Sequence, residues 1–559
     1  MFRKNALQGG MSRFRVDFWL VILISSLAAV AMFVVYPLSS LFINAFQDAG
    51  TGEATLAHFE TFASRPFFYQ ALFRSMRVSV TVTVLALLVG ASMAYLTSVY
   101  KLKGRRFVDV LIIASMLSPP FIGAYSWILL AGRSGYLSQF FQNTFGIQLP
   151  SIYGFGGIVL VMTLSTFPLI YLFTRGALKK VDASLIEASE SLGCSPLKKA
   201  VTMTIPLIAP TVFAGVLLVF MDAFTDFGTP MLLGEGYVVM PVLVFNEFLS
   251  EMGGRPNFAS ALAVIMVIIT AALFWVQKFI ISKKSFTMSS LRPIHAKELK
   301  GPANILMHAF VYGVVAFATI PQFFIIYTSF RATRGPIFVD GFSLDSYRRI
   351  FRTVGSAITN TYVFGLAAIA IIVVLSLFIA YLTVRKRSLL TSILDYTVML
   401  PFVIPGSVIG IILILAFNGP PLLLIGTPYI MILAFVIRRL PYTLRSSTGI
   451  LYQISPSIEE AAISLGDTPM KTFFKITAVM MLPGVVSGAM LSWITIINEL
   501  NASVLLFTTR TQTMTVVIYQ EVLRASHGAA AALATILILS TILSLVVFFK
   551  LTGSKEISL

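Results

Sequence analysis

The sequence predicts an all-α integral membrane protein with about twelve transmembrane helices, arranged as two parallel six-helix repeats. Three observations carry that expectation. Hydrophobic residues make up 57 % of the 559-residue chain, charged residues only 11 %, and the mean hydropathy is +0.89; a soluble domain carries roughly 25 % charged residues. Twelve apolar stretches are each about as long as the ~20 residues that cross a bilayer. A polar stretch with unusual punctuation also occurs twice. Glu187-Ala188-Ser189, Gly193, Ser195-Pro196 and Pro210 recur as Glu460-Ala461-Ala462, Gly466, Thr468-Pro469 and Pro483, each displaced by 273 positions. The same displacement carries Pro168 to Pro441, Gly176 to Gly449 and Leu178 to Leu451, which marks an internal repeat.

Taken in order, the apolar segments of the first half lie near 18–42, 71–99, 108–131, 156–178, 207–230 and 259–281. Those of the second lie near 305–329, 358–384, 390–416, 428–448, 481–503 and 530–550. The first is far longer than a signal-peptide core and has no clear small-residue cleavage site, so it reads as a retained helix. The third and ninth contain Pro119-Pro120 and Pro401 with Pro405. Such prolines either break a helix to expose carbonyls to a cavity or kink a packed one. Tyr125 and Trp127, near the outer end of the third segment, read as interfacial belt residues.

Charge sets the orientation. Arg3, Lys4, Arg13 and Arg15 precede the first segment, and Lys101, Lys103, Arg105 and Arg106 follow the second. Lys283, Lys284, Arg292, Lys297 and Lys300 follow the sixth, Arg385, Lys386 and Arg387 the eighth, Lys550 and Lys555 the twelfth. If spans alternate, all fall on one side, which the positive-inside rule makes cytoplasmic, with both termini there. The net charge of +18 is therefore a topology signal, and no nucleic acid partner is implied. The segment 330–357, with Arg331, Arg334, Arg348, Arg349 and Arg352, is an external exception. Ala94-Tyr95-Leu96-Thr97 recurs as Ala380-Tyr381-Leu382-Thr383, displaced by 286. The halves divide as 1–290 and 291–559, joined by the polar residues 282–304.

The duplicated stretches, 182–206 and 455–479, each predict helix, glycine bend, helix. Asp182 and Ser455 stand at N-cap positions, with Pro456 at a first helical position. Gly193 or Gly466 interrupts the helix, and Ser195-Pro196 or Thr468-Pro469 opens the next. Lys179, Lys180, Lys198, Lys199, Lys471 and Lys475 decorate them, so both are basic elements on the cytoplasmic side.

No phosphate-cradling Gly-x-x-x-x-Gly-Lys-Ser/Thr stretch occurs, and no nucleophile–base–acid arrangement stands out, so no residue is assigned to catalysis. The four histidines show no metal-ligand spacing, and a single cysteine, Cys194, leaves no intramolecular disulfide. No metal ligand is assigned. Polar residues within spans are functional candidates. The 273 displacement lays Thr225-Asp226 on Asn498-Glu499, with Asp222 one turn earlier and Asn501 nearby. These six either line a translocation path or its outer gate, or cap helix ends and pair with arginines. Arg438 and Arg439 are placed toward the cytoplasmic part of the tenth segment, leaving no intramembrane arginine pair in the path.

The repeated Glu-Ala-Ala (Ser189 replacing the last alanine in the first copy), glycine and downstream prolines resemble the signature cytoplasmic loop of inner-membrane permease subunits of binding-protein-dependent ABC importers. The resemblance implies the type I permease architecture. It also implies that Glu187, Ala188, Gly193, Glu460, Ala461 and Gly466 mark coupling elements, which dock on two copies of a separate ABC ATPase subunit. ATP and magnesium would sit on those partners, with no cofactor on this chain. A periplasmic or lipid-anchored binding protein would deliver cargo to this multi-pass protein of the bacterial inner membrane. The second copy has Ala478-Val479 where the first has Ile205-Pro206, a departure that leaves the two elements unequal. The fusion of two halves, with Thr225 to Pro230 and Asn498 to Ala502, is similar to the ferric iron importer branch, and hard ferric iron suits oxygen ligands. Relatives that carry 2-aminoethylphosphonate, sugar phosphates or thiamine remain open, as does an ion-gradient-driven secondary transporter, which would lack any motor to dock.

Overall fold

Proline placement sets where many of the helices start. Pro66, Pro120, Pro196, Pro256, Pro302, Pro428, Pro456 and Pro469 each occupy a first helical position, where the missing N–H has no helical partner to lose and φ is already helical. The computed structural model describes residues 18–250, 254–283, 296–420 and 422–552. Arg3, Lys4, Arg13, Arg15, Lys284, Arg292 and Lys555, used above for orientation, lie outside the described residues.

The first half comprises α1 Phe18–Ala45, α2 Pro66–Val99, α3 Arg105–Leu117, α4 Pro120–Ala131 and α5 Phe155–Lys179. It continues with α6 Ala183–Ser191, α7 Pro196–Lys199, α8 Ile205–Thr225 and α9 Pro256–Lys283. The second half repeats the series as α10 Pro302–Ser329, α11 Gly355–Arg385, α12 Leu389–Val403, α13 Gly406–Ala416 and α14 Pro428–Gln453. Then come α15 Pro456–Ser464, α16 Pro469–Thr472, α17 Ala478–Ile497 and α18 His527–Thr552. A two-stranded antiparallel hairpin, β1 Arg331–Arg334 and β2 Ile337–Phe342, is the one sheet among the described residues.

Nine of the described helices are long and apolar enough to cross a membrane, and up to eleven if the bent pairs α3–α4 and α12–α13 are each one span. The remaining expected segment is α14, which carries Arg438, Arg439 and Arg445. A count of twelve therefore depends on reading this charged helix as a span.

The prolines at the third and ninth segments break their helices outright, by 98° and 114°. The first break is supported from the other half. The Gln322 side-chain amide of α10 donates to the Ala114 and Ser115 carbonyls at 3.3 and 3.2 Å, and Ser126 Oγ donates to the Pro321 carbonyl at 2.5 Å. Such partners let a spanning helix interrupt its ladder without stranding polar groups in lipid. Because α4 turns back into the bundle at the break, Tyr125 and Trp127 are core residues and not a belt. The Tyr125 hydroxyl donates to the His527 carbonyl at 2.8 Å, and the Trp127 ring lies 4.8 Å from that of Phe317.

Each half packs α2, α5 and α8, or α11, α14 and α17, against one another. The leading helices are exchanged. In α1, Trp19 stacks on Tyr381 of α11 at 4.2 Å and meets Phe473 edge-on at 5.0 Å. Reciprocally, α10 packs on α3 and α4. One continuous apolar core runs through both halves, with a small separate cluster of Ala177, Leu178, Val181 and Ile208 near α6. Val80, Leu88, Trp275, Phe323 and Leu366 remain exposed on the outer faces of spans, as lipid-facing positions require.

Candidate functional site

The two bent elements are alike to the residue. Asp182 and Ser455 accept from the backbone N–H of Ser184 and Ser457, at 2.9 and 3.4 Å, and so cap α6 and α15. Gly193 and Gly466 follow the helices at φ +75° and +100°. The N–H groups of Cys194 and Asp467 reach back to the Ser189 and Ala462 carbonyls, both at 3.1 Å. This is the six-to-one bond of a Schellman cap, which needs a left-handed residue and hence glycine. Ser195 and Thr468 hydroxyls then accept from Lys198 and Lys471 N–H, each at 3.3 Å, opening α7 and α16.

Helical spacing sorts the faces of these elements. Glu187, Ala188, Glu460 and Ala461 are exposed, while Ser189 and Ala462 turn inward and are buried. Both inward positions hold a small side chain, serine in one copy and alanine in the other. Leu192 and Leu465, equivalent under the 273 displacement, are 84 % and 90 % exposed. Composition alone did not single them out.

Beyond each element the chain passes through a π-helical turn, Ala200–Thr204 or Phe473–Thr477, directly into α8 or α17. The far ends of those two helices carry the candidate path residues. Asp222, Thr225, Asp226, Asn498, Glu499 and Asn501 all line one cavity of about 1170 Å³ between the halves. Ser118, Pro119 and Pro120 at the first helix break line it too, as do Val403 and Ile404 at the second. Pro401 and Pro405 do not, and Pro401 instead borders a small apolar gap. The cavity extends to Leu482 and Pro483, at the end of α17 nearest the bent elements. At the opposite end Gly228 packs so tightly that a Cβ there would lie 2.8 Å from Phe121 Cβ and 3.2 Å from Leu500 Cδ2.

The acids occupy positions equivalent under the 273 displacement. Asp226 Oδ2 accepts from Thr229 N–H at 3.1 Å, and Glu499 Oε1 from Ala502 N–H at 3.2 Å. Short helices follow, Gly228–Leu233 and Ser503–Leu506, with Phe227 and Ala502 at their N-caps. Asp226 and Glu499 thus hold the backbone just ahead of these helices and also line the cavity. Asp222 is exposed to it.

One expectation is overturned. Arg438 and Arg439 line this same cavity, and both form ion pairs with the buried Glu499. They lie ten residues into the 26-residue α14, nearer the end away from the bent elements. The helix runs on to Gln453, past the expected end at 448, so the pair falls deep within it. The partner lies 60 residues downstream of Arg439, beyond the reach of local pattern. Among the described residues, no group of three or more His, Cys, Asp or Glu side chains is placed to hold a metal ion.

Comparison with known proteins fits this architecture. The family described as binding-protein-dependent transport system inner membrane component matches residues 86–285 and 372–553, one stretch in each half. The chain is 27 % identical over 550 residues to the ferric transport system permease protein FbpB of Actinobacillus pleuropneumoniae, covering 94 % of this chain and 77 % of that one. It is 27 % identical over 479 residues to the Fe(3+)-transport system permease protein FbpB 2 of Haemophilus influenzae, covering 85 % and 88 %. A Salmonella choleraesuis protein named for 2-aminoethylphosphonate transport, PhnU, is 24 % identical over 260 residues, 46 % of this chain.

Proposed function

The chain belongs to the binding-protein-dependent transport system inner membrane component family, and from that premise we propose that its cavity is the import path for ferric iron. It is a multi-pass inner-membrane permease, a transport component rather than an enzyme, that works with a substrate-binding protein and an ATPase. Membership sets aside the gradient-driven carrier. The finer reading assigns two ATPase copies, one to each bent element, with ATP and magnesium on those subunits. Both termini and both elements then face the cytoplasm, and the cavity is open inward and closed at Gly228.

One observation carries the mechanism: each bent element is continuous, through a π-helical turn, with the helix that bears the cavity acids. A push on α6–α7 or α15–α16 is transmitted along α8 or α17 to Asp222, Asp226 and Glu499. ATP-driven approach of the two motor subunits would draw the elements together and open the far end, where the binding protein delivers cargo. Hydrolysis would return the inward-open form. Alternation of this kind needs packed elements with two discrete arrangements. Ferric iron is supported by similarity to ferric permeases over nearly the whole chain.

The test is affinity purification of the tagged chain from native membranes. An ATPase with a phosphate-binding loop and a binding protein that holds ferric iron are expected to come with it. A binding protein selective for an organophosphonate or thiamine would refute iron, and a chain that purifies alone and transports on an ion gradient would refute the coupling mechanism.

A further inference from the structure

We infer that Arg438 and Arg439 form an oxyanion-binding site in the cavity, occupied in this conformation by the chain's own Glu499. The inference deepens the import reading and rests on it for the cation, not for the anion. The pair lies roughly 15 Å from the nearer end of α14, at a depth where charges are costly and are kept for function. Two guanidiniums converge on one carboxylate, Arg438 through Nη1 on Oε1 and Arg439 through Nη2 on Oε2. Clamping of both carboxylate oxygens by guanidinium N–H groups is also how proteins grip a carboxylate or phosphate ligand. Arg439 Nε is buried with no hydrogen-bond acceptor, so the pair has donor capacity that Glu499 does not use.

The placement of charge points the same way. The cavity sets two guanidiniums beside the carboxylates of Asp222, Asp226 and Glu499, so a cation is held off on the arginine side and attracted on the aspartate side. A ferric ion carrying an oxyanion ligand would present that ligand to the arginines and its metal to Asp222, which faces the cavity and forms no ion pair among the described residues. Glu499 stands where α17 ends, whereas the arginines stand on α14. A shift of α17 against α14 therefore withdraws the resident carboxylate and frees the pair for the cargo's anion. Return of Glu499 expels it.

The test uses the full chain in detergent, titrated calorimetrically with inorganic phosphate against a chloride control. Glu499→Gln frees the arginines, and phosphate should bind about tenfold tighter than to wild type. Arg438→Gln added to that variant should abolish the gain. A Glu499→Gln chain that is monodisperse and fully helical, yet binds phosphate no tighter, would overturn the inference. If that variant does not insert, Arg439→Lys decides, because it keeps the charge and loses the planar fork. A fall of about tenfold in phosphate affinity supports the site, and an unchanged affinity overturns it. Iron is read separately: a wild-type complex that binds phosphate here but carries no radiolabelled iron would refute the ferric reading and leave the oxyanion site standing.

Discussion

At Gly193 and Gly466 the backbone lies at φ +75° and +100°, where a residue bearing a Cβ costs about 1–2 kcal/mol and proline, locked near −65°, cannot go. Space is not the constraint, since no atom lies within 4 Å of a Cβ built at either position. Gly193→Pro or Gly466→Pro should abolish ATP-driven uptake with normal membrane insertion, read by transport assay beside immunoblot of membranes; normal uptake in both would contradict the coupling role. Under the proposed coupling, Leu192 and Leu465 are the anchors for the motor subunit. Leu192→Glu or Leu465→Glu should weaken ATPase association by at least about tenfold, as loss of an interface hot spot does, without lowering the thermal stability of the chain alone. These positions were legible to different degrees. The glycines and their caps could be read because a cap is chemistry among neighbours. Arg438 and Arg439 were misplaced because distance from a segment end says nothing of a partner on another helix.

The second bent element stands on a buried polar anchor. Under α15, Glu459 is buried and accepts from Arg385 Nε at 2.9 Å and from the Tyr381 hydroxyl at 3.1 Å. Arg385 also donates to the Ile454 carbonyl at 2.7 Å. Near α6, the described residues include the small apolar cluster of Ala177, Leu178, Val181 and Ile208. Arg385→Ala leaves a buried carboxylate uncompensated, so the chain should lose about 3–5 kcal/mol, seen as a clear drop in melting temperature. Arg385→Met with Glu459→Met should recover most of that loss, and no recovery would mean that the pair is not what anchors α15. Another duplication escaped the sequence pattern: Asp109 with Arg175 at 2.5 Å and Asp395 with Arg445 at 3.2 Å tie the broken helices α3 and α12 to α5 and α14. The aspartates correspond under the 286 displacement, but the arginines differ by one turn, so no single offset shows both. The π-helical turns after α7 and α16 were likewise invisible. They carry no marker residue, although such turns recur at functional sites.

Across the molecule, exchange of α1 and α10 binds the halves and places the cavity between them. Segments 1–290 and 291–559 produced as separate chains should therefore co-purify when co-expressed, and deletion of α1 should loosen the pair because Trp19 then no longer packs on Tyr381 and Phe473. Independent, unassociated halves would contradict the exchanged packing. Class, repeat and bent elements were legible because they rest on composition and on Gly and Pro, which constrain the local backbone. The sharp breaks and the shared cavity were not, since they depend on how one half supports the other. The claim that joins these scales is that the motor's push on the bent elements opens a path for iron. Its most direct test is radiolabelled ferric iron uptake into proteoliposomes holding this chain, its ATPase and its binding protein. Accumulation that requires ATP and the binding protein, and that vanishes with Gly466→Pro, is the predicted result. Iron entry that proceeds without ATP, or an undiminished rate with Gly466→Pro, would contradict it.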